Sequence, residues 1–232
     1  MRKGFTLSEV LITLSIVGIV AVLTIPGIMK NYRNRLYTAQ LEKVYAQVAD
    51  AAQSIMNDEH VDNFYETNAA GAASCSNADK GTCESGYAYF LTKYFKAVKY
   101  NCKKDDKTGC VSSSSSLYKT VSGDNMQSGF DGGNCIQTVS GAAICGTYNS
   151  VKKCLTLGVD INGMTEPNMP GRDIFYMDIH KNGSVSDTSS FCEDNNLGAP
   201  AADCLDNDTV TMGGAAGGCL NNIIEAGWKM EY

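Results

Sequence analysis

The side chains best equipped for chemistry in this chain are its ten cysteines. Cys75, Cys83, Cys102, Cys110, Cys135, Cys145, Cys154, Cys192, Cys204 and Cys219 all lie beyond residue 74, at long and irregular spacings with no C-x-x-C. Zinc sites take their thiolates in close pairs, because one turn must present two of them to one ion. An even set of widely spaced cysteines reads instead as a disulfide framework made in an oxidising compartment. Spacing leaves the pairing open, although the Ala-, Gly-, Ser- and Asn-rich stretch 67–86 reads as a loop closed by Cys75 and Cys83.

A second group offers hard oxygens. Asp160, Asn162 and Asp173 flank a loop containing Gly163 and Pro167, and calcium takes such ligands together with loop carbonyls. The regular D-x-D-x-D-G spacing and a closing Glu are absent, and the same residue types shape loops through Asx turns. Calcium is the only cofactor the sequence suggests. The two histidines, His60 and His180, stand at the end of a helical stretch and behind a strand. No G-x-S-x-G elbow, P-loop or dinucleotide fingerprint accompanies them, so an enzyme is not expected. The formal net charge of −6 and the lack of a basic run with interleaved aromatics exclude a nucleic-acid surface as the main role.

The third group is Glu9 and its surroundings. From Val10 to Ile25 the only polar side chains are Thr13, Ser15 and Thr24. Phe5 to Met29 is long enough, at ~1.5 Å per residue, to cross a ~30 Å hydrocarbon layer. A carboxylate at the leading edge of such a run costs ~2.5–3.5 kcal/mol at the centre of a bilayer, and less near its surface. Glu9 either faces the headgroups or pairs with a cation; a free amine on Phe5 would stand one helical turn away, on the same face or on a neighbouring chain. A secretory signal peptide fits poorly, since no A-x-A-like site follows the run. An uncleaved anchor is the plainer alternative.

Gly4-Phe5-Thr6-Leu7-Ser8-Glu9, followed by about 20 apolar residues, resembles the signal of type IV prepilins, a family that includes pilins and the pseudopilins of type II secretion. The resemblance covers residues 1–60. It implies that a prepilin peptidase cuts between Gly4 and Phe5, that the new Phe5 amine is methylated, and that Glu9 pairs with the terminal amine of an adjacent subunit. Gly18 and Pro26 fall where pilins carry helix-weakening residues, and a kink or local melting near 22–26 is expected because proline lacks the N–H and crowds the preceding turn. Asp160-Ile161-Asn162-Gly163, Pro167-Asn168 and Gly171-Arg172-Asp173-Ile174-Phe175 resemble a segment of bacterial pilin-like proteins, and some pseudopilins of that family bind calcium in the head.

The elements that must position these groups follow from periodicity. Leu41, Val44, Tyr45, Val48, Ala51, Ala52 and Ile55 recur at three- and four-residue steps, so one helix runs from Phe5 to Asn57 and lays its second half on a head. Tyr87, Phe90, Leu91, Tyr94, Phe95 and Val98 predict a second helix over 87–98, with an apolar face for the core. Ser112–Ser116 reads as an exposed loop. Cys135–Val139 and Ala142–Tyr148 form a hairpin around Ser140-Gly141; Val151–Ile161, Asp173–Ile179 and Gly183–Val185 are further strands, antiparallel because they are closely spaced. Cysteines staple the polar stretch 186–219. Leu220–Ala226 forms a short helix and Gly227–Tyr232 a final strand, with Trp228 as a core or edge anchor.

The expected fold is α+β and pilin-like: a leader over 1–4, a transmembrane and assembly segment over 5–29, an amphipathic segment over 30–57, and a disulfide-rich head over 58–232. Lys30, Arg33, Arg35 and Lys43 behind the span oppose an exoplasmic head by the positive-inside count. That count carries little weight before a long domain, and the cysteines place the head outside. The resemblance implies a structural subunit of a type IV pilus-like or type II secretion filament. Its partners would be the prepilin peptidase, like subunits and an inner-membrane assembly platform. The chain would begin as a single-pass inner-membrane protein and end in an extracellular or periplasmic filament. The alternatives are a minor or tip subunit that binds a surface or substrate, and an anchored exoplasmic domain that never polymerises.

Overall fold

The computed structural model describes residues 4, 6–102, 110–112, 114–120, 122–126, 133–150, 153–187, 204 and 217–231. Helix α1, Leu7–Glu59, starts behind Thr6 as N-cap and ends at His60, whose left-handed backbone (φ 56°) turns its N–H back onto the last carbonyls. At 53 residues it is ~80 Å long. Helix is the fitting form for its first half, because every backbone polar group is satisfied within the segment. Pro26 lies inside it and the helix is unbroken there, so no melting over 22–26 is seen in the single subunit.

The two halves of α1 differ in what they touch. Leu11, Leu14, Val17, Ile19 and Leu23 are exposed, whereas Thr38, Leu41, Val44, Val48, Ala51, Ala52, Ile55 and Met56 are buried. The buried stripe packs against helix α2, Gly86–Tyr94, and one face of a six-stranded antiparallel sheet. The sheet runs β3 (Ala97–Lys99), β4 (Cys135–Thr138), β5 (Ala143–Asn149), β6 (Cys154–Asp160), β7 (Ile174–Ile179) and β8 (Val185–Ser186), each strand beside its sequence neighbour. Strands β1, Ser74–Asn77, and β2, Thr82–Ser85, form a separate two-stranded ribbon. Helix α3, Cys219–Glu225, adds Leu220 and Ile223 to the core.

Alternation of side chains across the sheet creates two cores. Ile136, Ile144, Leu155, Leu157, Val159, Phe175, Met177 and Ile179 face α1 and α2. Cys135, Ala143, Cys145 and Ile174 face the other way, where Cys102, Cys110, Val111, Tyr118 and Met126 cover them. Gly86 makes the turn from β2 into α2: its φ is 75°, and a Cβ there would stand 1.9 Å from the Ala72 carbonyl oxygen.

Four expectations need correction. The stretch 67–86 is not all loop, since it holds the β1–β2 ribbon. Helix α2 stops at Tyr94, and Val98 is exposed on β3 because Ala97–Lys99 gains ladder bonds to Thr138 and Gln137. Ser112 is buried rather than looped into solvent, its N–H donating to the Tyr118 hydroxyl at 2.9 Å, and Ser115–Leu117 is a 3₁₀ turn. Residues 227–231 are not a strand. Gly227 and Trp228 N–H groups cap α3 by bonding to Ile224 and Ile223 carbonyls at 3.0 and 2.8 Å, and the Met230 carbonyl accepts from Asn34 Nδ2 at 2.9 Å. The tail is thus fastened to α1 rather than to the sheet. Trp228 is an edge anchor, packed edge-on against Tyr45 with ring centroids 5.3 Å apart.

Candidate functional site

At the amino-terminal end, the helix dipole and the free N–H groups of the first turn attract a carboxylate. Glu9 answers both within its own chain. Its Oε2 accepts from the Thr6 N–H at 2.8 Å and the Thr6 hydroxyl at 2.7 Å, while the Glu9 N–H donates to Thr6 Oγ1 at 3.3 Å. This is a capping box. Gly4 and Glu9 are exposed and Gly18 has open space around it; Phe5 lies outside the described residues. The surface around Glu9 is therefore an apolar rod tipped by one carboxylate.

The second candidate site is buried in the head. Asp160 closes β6 and Asp173 precedes β7, both fully buried. Asp173 accepts from the Asn168 and Met169 N–H groups at 2.7 and 2.6 Å, and Asp160 Oδ1 accepts from the Asn162 N–H at 3.3 Å. These bonds are the loop-shaping Asx geometry. They leave Asp160 Oδ2, Asn162 Oδ1 and Asn168 Oδ1 buried without a hydrogen-bond partner among the described residues. Burial, and then the neighbouring Asp173, push the Asp160 carboxyl well above the ordinary range. Burial likewise pushes Asp173 up to about 6, against the opposing pull of the Met169 and Asn168 amides. Both carboxylates also act on the Tyr118 hydroxyl, which burial pushes up to about 12. Asp160, Asn162 and Asn168 each bring one unsatisfied oxygen, with Asp173 beside them, and oxygens of these types are the ligands a hard divalent cation takes. Among the described residues no group of three or more Asp, Glu, His or Cys side chains could hold a metal, so a cation here would rely on amide and backbone oxygens as well.

Asn168 was not among the sequence candidates for this set. Its place directly after Pro167 is the sequence mark of a turn residue; its burial and left-handed backbone (φ 51°) are seen only in the structure. The Arg172 tie was also missed: its Nη1 donates to Asn34 Oδ1 at 3.1 Å, joining the acid-bearing loop to α1.

Among the described residues the nearest approach to a catalytic pair is His180 Nε2 and Ser186 Oγ, 2.5 Å apart. Both are buried, so this hydroxyl does not face solvent. His60 serves as the C-cap of α1.

The thiols of the described residues are spent on structure. Disulfides join Cys75 to Cys83 across β1 and β2, Cys135 to Cys145 across β4 and β5, Cys102 to Cys110, and Cys204 to Cys219. Cys154 is also disulfide-bonded, and Cys192 lies outside the described residues. The Cys204–Cys219 bridge anchors the start of α3.

Residues 1–25 match the family model described as the prokaryotic N-terminal methylation motif. The chain therefore carries a prepilin-type signal ahead of a pilin-like α+β fold: a long apolar amino-terminal helix, an antiparallel sheet and disulfides. No curated protein and no solved structure matches the chain.

Proposed function

We propose that this chain, with its prepilin-type signal, is a structural subunit of a type IV pilus-like or type II secretion filament. In this reading a membrane peptidase cuts between Gly4 and Phe5, and the Phe5 amine is methylated. The apolar half of α1 first holds the subunit in the inner membrane with its disulfide-bonded head outside, then packs among like helices. The observation that carries the reading is the wholly exposed apolar surface over the span of α1. Water would not tolerate that surface, and either lipid or other helices must cover it. Glu9 supplies the register, since a carboxylate buried in such a bundle is heavily penalised until it meets a cation. Helix weakening at Gly18 and Pro26 belongs to the packed state in this reading. A structural role also accounts for the thiols and histidines without chemistry.

The test is to express the chain with and without a prepilin peptidase and shear the cells. Head-reactive filaments that depend on the peptidase support the reading. Cleaved subunit that stays wholly in the membrane fraction contradicts it and favours a non-polymerising anchored domain. Scarce subunit confined to filament tips would indicate the minor, binding role.

A second reading concerns the head. The unpartnered oxygens of Asp160, Asn162 and Asn168 beside Asp173 fit calcium, which would neutralise the two buried acids and brace the loop that Arg172 ties to α1. Calcium-dependent protection of residues 160–173 from hydrogen exchange would support it; unchanged protection would refute it.

A further inference from the structure

Between Glu9 and Lys30, α1 carries no charged side chain, so the edge of a bilayer holding this segment falls near Met29. At that level the head leans back on the helix. The loop bearing Glu166, Pro167 and Arg172 meets α1 around Arg33 and Asn34 and leaves an open cleft of about 790 Å³.

The cleft has two kinds of wall. On the membrane side lie Ile25, Pro26 and Met29; on the head side lie Lys30, Arg33 and Arg172, with Glu166 the one carboxylate among the described lining residues. The cations are held in place from two directions. Arg172 is fixed by its bond to Asn34 Oδ1 at 3.1 Å. Arg33 and Arg172 line the cleft together with Tyr37, and both act on its hydroxyl, as does the buried Asp173 carboxylate behind the wall. Guanidinium groups suit phosphate because their forked donors match its oxygens.

We propose that this cleft binds the phosphate of an anionic phospholipid, with the headgroup among Lys30, Arg33 and Arg172 and the acyl chains running down the Ile25–Met29 surface. A free phosphate would use the cations and leave the apolar wall idle; a lipid uses both. Bound lipid would brace the head against α1 at the membrane surface and set the depth and tilt at which the subunit waits for extraction. The inference rests on the membrane reading of α1.

The test uses the full chain. Flotation with phosphatidylcholine vesicles first establishes insertion; a chain that fails to float fails the membrane reading itself. Native mass spectrometry in detergent then compares retention of phosphatidylglycerol with phosphatidylcholine. The expected result is one retained phosphatidylglycerol, preferred by roughly 25-fold, because each of the three cations near an anionic lipid contributes on the order of a factor of five and Glu166 takes one such factor back. Arg33→Gln with Arg172→Gln should abolish the preference. Because Arg172 also ties the head to α1, Lys30→Gln with Arg33→Gln is measured beside it and should weaken the preference with an unchanged thermal midpoint. Equal retention of both lipids by the wild-type chain overturns the proposal. So does a preference unchanged in both double variants. Displacement of the lipid by inorganic phosphate alone would make the ligand a free anion. Lipid-free dimerisation through the cleft would make its occupant a second copy. Either outcome also overturns the proposal.

Discussion

Glu9 is folded back onto Thr6: one carboxylate oxygen accepts both the Thr6 N–H, at 2.8 Å, and the Thr6 hydroxyl, at 2.7 Å. In the single subunit the carboxylate is thus occupied by its own helix end. To pair with the amine of another chain, as proposed, it must exchange partners and give up its side of the capping box. In the proposed filament the apolar packing of the span drives assembly, and the pair fixes register because a charge left unpaired in the bundle is heavily penalised.

Capping and charge can be separated. Glu9→Gln keeps a side chain able to complete the capping box but removes the charge. It should be processed normally and yield few filaments. Thr6→Ala disrupts the cap while sparing the charge, and should still assemble. Filament yield after shearing distinguishes the two; normal filaments from Glu9→Gln would contradict a register role for the carboxylate.

The buried acids of the head make a calcium prediction. Asp160→Asn with Asp173→Asn removes both charges and should abolish any rise in thermal midpoint on adding calcium to the wild-type chain. If the midpoint of the wild-type chain is the same in calcium and in chelator, the cation has no place there.

Asp187 makes a pH prediction. Its carboxylate accepts from the Gly218 and Leu220 N–H groups at 2.7 and 2.8 Å, yet burial outweighs them and pushes it up to about 7. Asp178 pushes the same way. Between the ordinary carboxyl value near 4 and about 7, the folded head holds a proton that the unfolded chain has released. Stability is therefore highest at the acid end of that window and falls as pH rises through it, by a few kcal/mol at most. Asp187→Asn should flatten the slope of thermal midpoint against pH. Asp160 and Asp173 share its sign, so some slope should remain. A midpoint that rises from pH 5 to 7 would contradict this assignment.

The lower half of α1 is part of the head core. Leu41 is fully buried against the sheet side of the helix, so Leu41→Ala should cost about 2–5 kcal/mol. Leu14→Ala, on the exposed half, should leave the head's thermal midpoint unchanged. Similar losses from both would mean that the two halves of the helix are not divided as described.

Much of this is legible in the sequence, for physical reasons. The stripe from Leu41 to Ile55 repeats at the helical period, and hydrophobic periodicity survives tertiary context when the burying surface is large. The β4–β5 hairpin was marked by Ser140-Gly141 between apolar runs, and β6 and β7 by their length and composition. What escaped were competitions between alternatives. Val98 continues the helical pattern of α2, but the sheet edge offers it strand neighbours. Gly227 and Trp228 read as the start of a strand, but their N–H groups close α3. At the buried acid site, Asp160, Asn162 and Asp173 stood out by type. Asn168 did not, since only its left-handed turn brings its amide inward.

The most direct measurement is the intact mass and amino-terminal sequence of the protein taken from its native membrane. A chain that begins at an N-methylated Phe5 is the predicted result. A chain that still begins at Met1, in cells whose peptidase is active, would show an uncleaved anchor and contradict the reading of this protein as a filament subunit.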